Sequence, residues 1–444
     1  MKVSIKNGWI LRQSSEWRRF ATYLTGMGLS LLGSQAWFVA LAWAASQLGD
    51  SRKMSWVMAS ASLPRAVLIL PAGRLVDRWG ARRVTLGSDA ARAFIMAVAG
   101  IVLAISHPGL GLLLVVGALF GVIDALHMPA LGSLPPRLLR PEKLAAGQGL
   151  VQTVQRAVSV VASPLGGVLV AIGGLVWILV MDVALFCLAF FILRSVPEDT
   201  QSTSVQFAAG DVRDGQGRAQ SLKICSSRQS VMEGWRFAWV DVVIRGVLVT
   251  VTAMNLVLAG ALNVGVAQLS HYQSWGPQGF GLLMAAFAAG AVIGALLISA
   301  LPAAARPVRA GLVWTALGSA TLGGIGCSTS QAAAIASTAA LGITMGPASA
   351  LLLGTVQARC PEVYLGRVMS LVGFSTVGLA PVSMILFGQA ADFLGITLTF
   401  ILASGLLALI TFAALVNPQL RNATVQQGDT ISGSSTASSA ICEE

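Results

Sequence analysis

The chain has 444 residues, 55% of them hydrophobic and only 11% charged, with a formal charge of +11 and a mean hydropathy of +0.76. No ordinary water-soluble domain combines so few charges with so much apolar surface, so the composition predicts an all-α integral membrane protein. The basic surplus does not indicate nucleic acid, because Lys and Arg fall in brief loops between apolar runs and not along one exposed face.

The N-terminus carries Lys2, Lys6, Arg12, Arg18 and Arg19 ahead of an apolar run at 20–47, which is too long for a signal-peptide core and is expected to remain as a first membrane helix. Further runs long enough to span a bilayer follow at 54–73, 84–106, 109–132, 147–171 and 173–193. Six more lie at 243–269, 279–301, 308–328, 331–354, 366–390 and 395–416. The expected organisation is therefore an N-terminal six-helix bundle at 1–193, a linker at 194–241, a C-terminal six-helix bundle at 242–416 and a tail at 417–444. Linker and tail are rich in Ser, Gln, Gly and charged residues, a composition that cannot bury a core. The cysteines, Cys187, Cys225, Cys327, Cys360 and Cys442, show no C-x-x-C spacing, so neither a disulfide framework nor a zinc site is expected.

Between the second and third runs stands Gly73-Arg-Leu-Val-Asp-Arg-Trp-Gly-Ala-Arg-Arg83. Gly73 and Gly80 permit close helix approach or positive φ, Asp77 can cap a helix N-terminus, and Arg78, Arg82 and Arg83 supply cations for a partner or for anionic headgroups. Its side also receives Arg137 to Lys143, the linker, Arg306, Arg309, Arg359 and Arg367, whereas the opposite loops hold only Arg52 and Lys53 beside Asp50. The positive-inside rule makes the first side cytoplasmic, with both termini on it. The halves echo each other: Gly73, Pro129, Pro141 and Pro164 recur as Gly294, Pro347, Pro361 and Pro381, at offsets of 217–221 residues. Gly117 with Gly121, Gly290 with Gly294, and Gly342 with Gly346 would let helices approach closely.

The basic turn resembles the loop 2–3 signature of the major facilitator superfamily. Gly121-Val-Ile-Asp-Ala-Leu-His-Met-Pro-Ala130, Leu134-Pro-Pro-Arg137 and Gly366-Arg-Val-Met-Ser370 look like the twelve-helix drug:proton antiporter branch that includes macrolide and siderophore exporters. Ala162-Ser-Pro-Leu-Gly-Gly167 is similar to the antiporter motif of helix 5, with Pro164 displaced by one position. The resemblance covers nearly the whole membrane part and implies twelve helices in two six-helix pseudo-repeats, helix 4 lining a central cavity, and Gly73 to Arg83 as a gate. In the outward-open state Asp77 is expected to tie that turn to a second-half helix, helix 11.

Ionisable groups inside a bilayer are costly, so each is a functional candidate. They are Arg65, Asp89, Arg92, Asp124, Arg156 and Asp182, all in the first half. Asp89 and Arg92, three apart on a helix, are expected to pair with each other, and Asp182 to cap the outer end of helix 6. Asp124, about 12 Å from the end of its helix at 1.5 Å per residue, is the leading proton carrier, with Asp182 next; a permanently paired structural Asp124 is the alternative. Arg65, Asp124 and Arg156 lie at similar depth, and one carboxylate among two guanidiniums would favour an acidic cargo group. Alternatively Arg65 bonds helix carbonyls and Arg156 snorkels. His127 is expected to be interfacial.

No G-x-x-x-x-G-K-[ST] run occurs, so energy is expected from a gradient; no catalytic triad or metal set forms around His107, His127 and His271, so neither an enzyme nor a cofactor is expected. The function expected is export of a small amphiphilic drug or siderophore by proton antiport, from a monomer in the cell membrane, which is the inner membrane if the cell is Gram-negative. A lysophospholipid transporter, a nutrient symporter, and a non-transporting sensor or scaffold docking through linker and tail remain alternatives. A reporter fused after Lys223 should read as cytoplasmic in a topology assay; an extracellular reading would end this topology.

Overall fold

The computed structural model describes residues 2–105, 109–139, 141–196, 236, 238–300, 306–360 and 362–423. The stretch 197–235, the tail beyond 423 and the side chains of Arg74, Asp77, Glu362 and Arg367 lie outside the described ones. In chain order the helices are α1 (Lys2–Ser46), α2 (Ser51–Trp79), α3 (Ala81–Ile105), α4 (Leu110–Gly132), α5 (Pro135–Leu138) and α6 (Pro141–Arg194). There follow α7 (Val242–Gly260), a π-helical turn (Ala261–Gly265), α8 (Val266–Tyr272), α9 (Gly276–Ala300), α10 (Pro307–Gly326) and α11 (Gln331–Arg359). The last are α12 (Glu362–Val377), α13 (Ala380–Leu394), α14 (Ile396–Val416) and α15 (Pro418–Arg421). No strand occurs among the described residues.

Nine helical stretches among the described residues are long and apolar enough to cross a membrane. The one at Gly147–Arg194 has 48 residues, more than twice the roughly 20 that a bilayer core needs. It is interrupted at Gly174, where φ is 66° and ψ −164°, values open mainly to glycine, so this stretch holds two passages. The rest of the expected twelve fall to α2, which carries Arg65 and Pro71 inside it, and α10. Local chemistry sets the ends. Asp50 accepts hydrogen bonds from the backbone N–H groups of Arg52 and Lys53 at the start of α2, and Asp241 does the same for Val243 and Ile244 at the start of α7. Where an unstructured tail is expected from Asn417, the side chain of Asn417 instead caps α15, because Leu420 finds an apolar site against Gly246.

The small-residue pairs are close helix contacts. A Cβ on Gly121 would fall 2.1 Å from the carbonyl oxygen of Ala61 in α2, and one on Gly342 2.1 Å from that of Phe287 in α9. Packing of α2 on α4 is thus repeated by α9 on α11, where Gly290, Gly294 and Gly346 also meet backbone.

Contact between the two sets of helices, α1–α6 and α7–α14, is concentrated at the end that carries Asp50. One apolar cluster there is continuous across both sets, from Trp37, Met58 and Phe120 to Leu269, Phe280 and Phe400. The seam carries Ser51 Oγ donating to Gln268 Oε1, an Arg52–Asp392 pair at 3.0 Å and Ser62 Oγ to Met384 Sδ at 3.6 Å. Toward the Arg78 end the core divides into separate clusters, one holding Phe20, Tyr23, Met27 and Leu193 and the other Ile244, Val308, Leu352 and Leu420.

Closure relies on Gly167 of α6 against α9, where a Cβ would meet the Pro277 carbonyl oxygen at 2.5 Å, and on Gly281, where one would meet that of Ser163 at 2.6 Å. Overpacking such a contact costs about 1–3 kcal/mol. Gly281→Val should therefore loosen the Asp50 end, so that in a cysteine-free background a membrane-impermeant thiol reagent applied there labels Gln35→Cys several-fold faster. Unchanged labelling would show that the seam does not depend on this contact.

Candidate functional site

The first-half helices bring Arg65, Asp89, Arg92, Asp124 and His127 to one buried cluster. Asp89 and Arg92 lie three apart on α3, Asp124 and His127 three apart on α4, and Ser30 and Ser34 four apart on α1, spacings that put each pair on one helix face. Arg92 has no exposed side-chain surface, and its Nη2 donates to Asp124 Oδ1 at 2.6 Å. Arg65 of α2 reaches the other oxygen, Nη1 to Oδ2 at 3.2 Å. Arg92 Nη1 lies 3.7 Å from Asp89 Oδ1 and donates to Ser30 Oγ at 3.2 Å. Phe120 of α4 and Phe186 of α6 cover the guanidinium, with ring centroids 5.3 Å and 5.6 Å from its carbon, within cation–π range.

Ser30 organises the buried edge. Its one hydroxyl proton goes to Asp89 Oδ1 at 2.7 Å, so at its 3.2 Å contact with His127 the Nε2 of the ring must be the donor. His127 Nδ1 then faces Asp89 Oδ1 at 3.7 Å without a hydrogen-bond partner. Exposure runs from 24% for the Arg65 side chain and 7% for Asp124 to none for Arg92 and Asp89. The Arg65–Asp124 pair is therefore the edge of the cluster within reach of anything outside the helices.

The expected Asp89–Arg92 ion pair forms at 3.7 Å, but the closer partner of Arg92 is Asp124 at 2.6 Å, because a shorter hydrogen bond is available across helices than along one. Three expectations need correction. Asp182 caps nothing: it is fully buried opposite Gly33, whose Cβ would stand 3.4 Å from Oδ1, and neither carboxylate oxygen has a hydrogen-bond partner. His127 is buried and not interfacial. Arg156 shares depth with Arg65 and Asp124 but not direction. It lies eleven residues before Gly167, three turns along one face, and that face is turned toward α9, leaving Arg156 exposed. The cluster thus balances two guanidiniums with two carboxylates, and the charge excess that favoured an acidic cargo is absent. Ser30, Ser34, Phe120 and Phe186 were not anticipated; the serine pair inside an apolar run was the available signal.

Of the basic turn, Gly73 lies within α2 and Arg78 in its last turn. Gly80, at φ 85°, alone separates α2 from α3. Arg82 Nη2 donates to the Arg194 carbonyl oxygen at 2.7 Å, and Arg83 is exposed. The side chain of Asp77 lies outside the described ones.

A helical membrane protein with a buried ionic cluster in one half, closed at one end by the other half, has the form of a transporter. Residues 23–268 match the Major Facilitator Superfamily, and the chain belongs to that family. Relatives along almost its full length include macrolide efflux protein A of Streptococcus pyogenes, 24% identical over 425 residues, covering 92% of this chain and 98% of that one. The multidrug efflux pump Tap of Mycobacterium tuberculosis is 27% identical over 421 residues, covering 90% and 93%. The enterobactin exporter EntS of Shigella dysenteriae is 26% identical over 265 residues, covering 60% and 59%. Among solved structures the nucleoside transporter NupG has the same fold, with a TM-score of 0.65 at 12% identity, covering 88% of this chain and 98% of that one.

Removing one partner of a buried ionic group costs about 3–5 kcal/mol, whereas removing opposite charges together is far less costly. Arg92→Met should lower the melting temperature in detergent strongly, and Arg92→Met with Asp124→Asn should recover part of the loss. A double variant no more stable than the single one would show that the pair is not coupled.

Proposed function

We propose that this chain exports a small amphiphilic compound, a drug or a siderophore, in exchange for protons by alternating access. It acts as a monomer in the cell membrane, with both termini cytoplasmic and the bundles 1–193 and 242–416 joined by the linker 194–241. The observation that carries this reading is the position of Arg92, 2.6 Å from Asp124 and 3.7 Å from Asp89. The efflux and export named for the relatives support its direction.

A proton on Asp124 cancels the charge that holds both guanidiniums. Arg92 then has Asp89 to turn to, and Arg65 at the exposed edge is left to water. Cargo that bonds the Asp124 carboxylate or displaces Arg65 from it competes with the proton for the same oxygens, and competition of this kind makes transport an exchange. Arg156, on the α6 face turned toward the second half, is a further cargo contact. Asp182 is the second proton site, because an unpartnered buried carboxylate is costly when ionised and much less so when neutral.

With the Arg78 end in the cytoplasm, contact at the Asp50 end corresponds to an inward-open state. In the outward-open state the turn Gly73, Asp77, Arg78, Gly80, Arg82 and Arg83 closes against the start of α12, with Asp77 at that helix N-terminus, where an anion is favoured.

In proteoliposomes an imposed pH gradient should drive a macrolide or a catecholate siderophore uphill. Asp124→Asn should reduce driven transport on the order of tenfold or more and make equilibrium cargo binding weaker and independent of pH, because the amide resembles only the protonated acid. Undiminished driven transport by Asp124→Asn would move the proton to another acid, Asp182 first. Binding without any driven transport by the unaltered chain would favour a sensor.

A further inference from the structure

Away from the ionic cluster, a cavity of about 330 Å³ opens where α3 begins and α6 ends, lined by Arg82, Arg83, Leu86, Phe190 and Arg194. This is within the roughly 300–1,000 Å³ of small-ligand pockets. Three guanidiniums gather there, and neither Arg83 nor Arg194 has a carboxylate partner among the described residues. Arg82 is fixed by its hydrogen bond to the Arg194 carbonyl oxygen, which joins the two helix ends. The first turn of α3 adds the positive end of its dipole.

The wall changes character one turn deeper. Leu86 is four residues beyond Arg82 on α3, and Phe190 four before Arg194 on α6, so cationic and apolar layers are separated by about 6 Å along both helices. Beyond them the outer faces of α3 and α6 continue as exposed Phe94, Val98 and Ile101, and Leu188. Trp79, half exposed at the end of α2, marks this level as a membrane–water interface, where such rings concentrate. A soluble anion would use the arginines alone; an amphiphile with a phosphate above acyl chains matches both layers.

We propose that this cavity binds the headgroup of an anionic phospholipid, with Arg82, Arg83 and Arg194 around the phosphate and Leu86 and Phe190 against the first acyl segments. The site lies on the membrane-facing side of the first half, apart from the Arg65–Asp124 edge, and does not depend on which cargo the chain carries. Its two helix ends adjoin the Gly80 turn, so a bound headgroup braces the segment between α2 and α3.

Native mass spectrometry of the full-length protein in detergent, titrated with phosphatidylglycerol and with phosphatidylcholine of the same acyl chains, tests this. Phosphatidylglycerol should bind about tenfold or more tightly than phosphatidylcholine, each arginine near such a headgroup contributing appreciably to the attraction. The preference should vanish in Arg83→Gln/Arg194→Gln, whose altered side chains are exposed and leave the Arg82 hydrogen bond in place. An unchanged melting temperature shows that this variant remains folded. Phe190→Ser should weaken both lipids while keeping the preference between them. Equal binding of the two lipids, or a preference that survives in the folded double variant, would overturn the site. Displacement of phosphatidylglycerol by millimolar inorganic phosphate would overturn the lipid assignment and make the cavity a soluble-anion site.

Discussion

A guanidinium with no exposed surface, placed midway along a membrane helix, constrains everything around it. Arg92 cannot shed its charge, so the surroundings must answer it, and they do so from every direction: Asp124 from α4, Asp89 from its own helix, Ser30 and Ser34 from α1, and Phe186 from α6. Breaking one such partnership costs about 3–5 kcal/mol, comparable to a large share of a domain's net stability. The first-half helices are thereby held in one arrangement.

The second half is built differently. Its helices carry no comparable buried ionic cluster among the described residues; Asp392 lies at the seam with Arg52, and Asp241 caps α7. What α9 and α11 share with α2 and α4 is the small-residue interlock, in which glycine lets backbone approach backbone. The fold repeat is therefore preserved in packing while charge is confined to one copy. The π-helical turn between α7 and α8 stands in the second half, where Ser383 of α13 donates to the Leu256 carbonyl and accepts from the Gly260 N–H at 2.7 Å. Local departures of this kind often mark functional bends.

How much of the site could be read in advance depended on whether depth or direction was at stake. Depth follows from counting residues along a helix, and on that basis Arg65 and Asp124 share a layer and meet. Direction needs the neighbours: Arg156 has the right depth and the wrong face, since Gly167 on that face is turned to α9. The Asp89–Arg92 spacing correctly puts both groups on one side of α3, but the better hydrogen bond lies across to α4, which no spacing within α3 can reveal. Asp182 reads as a helix-end residue only while the break at Gly174 and the approach of α1 at Gly33 are unknown.

That the chain lives in a membrane, roughly where its helices begin and end, and which few side chains carry charge into the apolar region are all legible in the order of its residues. These are matters of composition and of one-dimensional spacing, which hydrophobicity and helix geometry convert directly into structure. Tertiary structure alone decided which carboxylate answers which guanidinium, that Asp182 is left without a partner, that three arginines from two distant segments share a cavity above Leu86 and Phe190, and which end of the molecule is closed. Each of these depends on the rotation of one helix against another, and that is set by many small contacts whose sum the order of residues along one helix does not express.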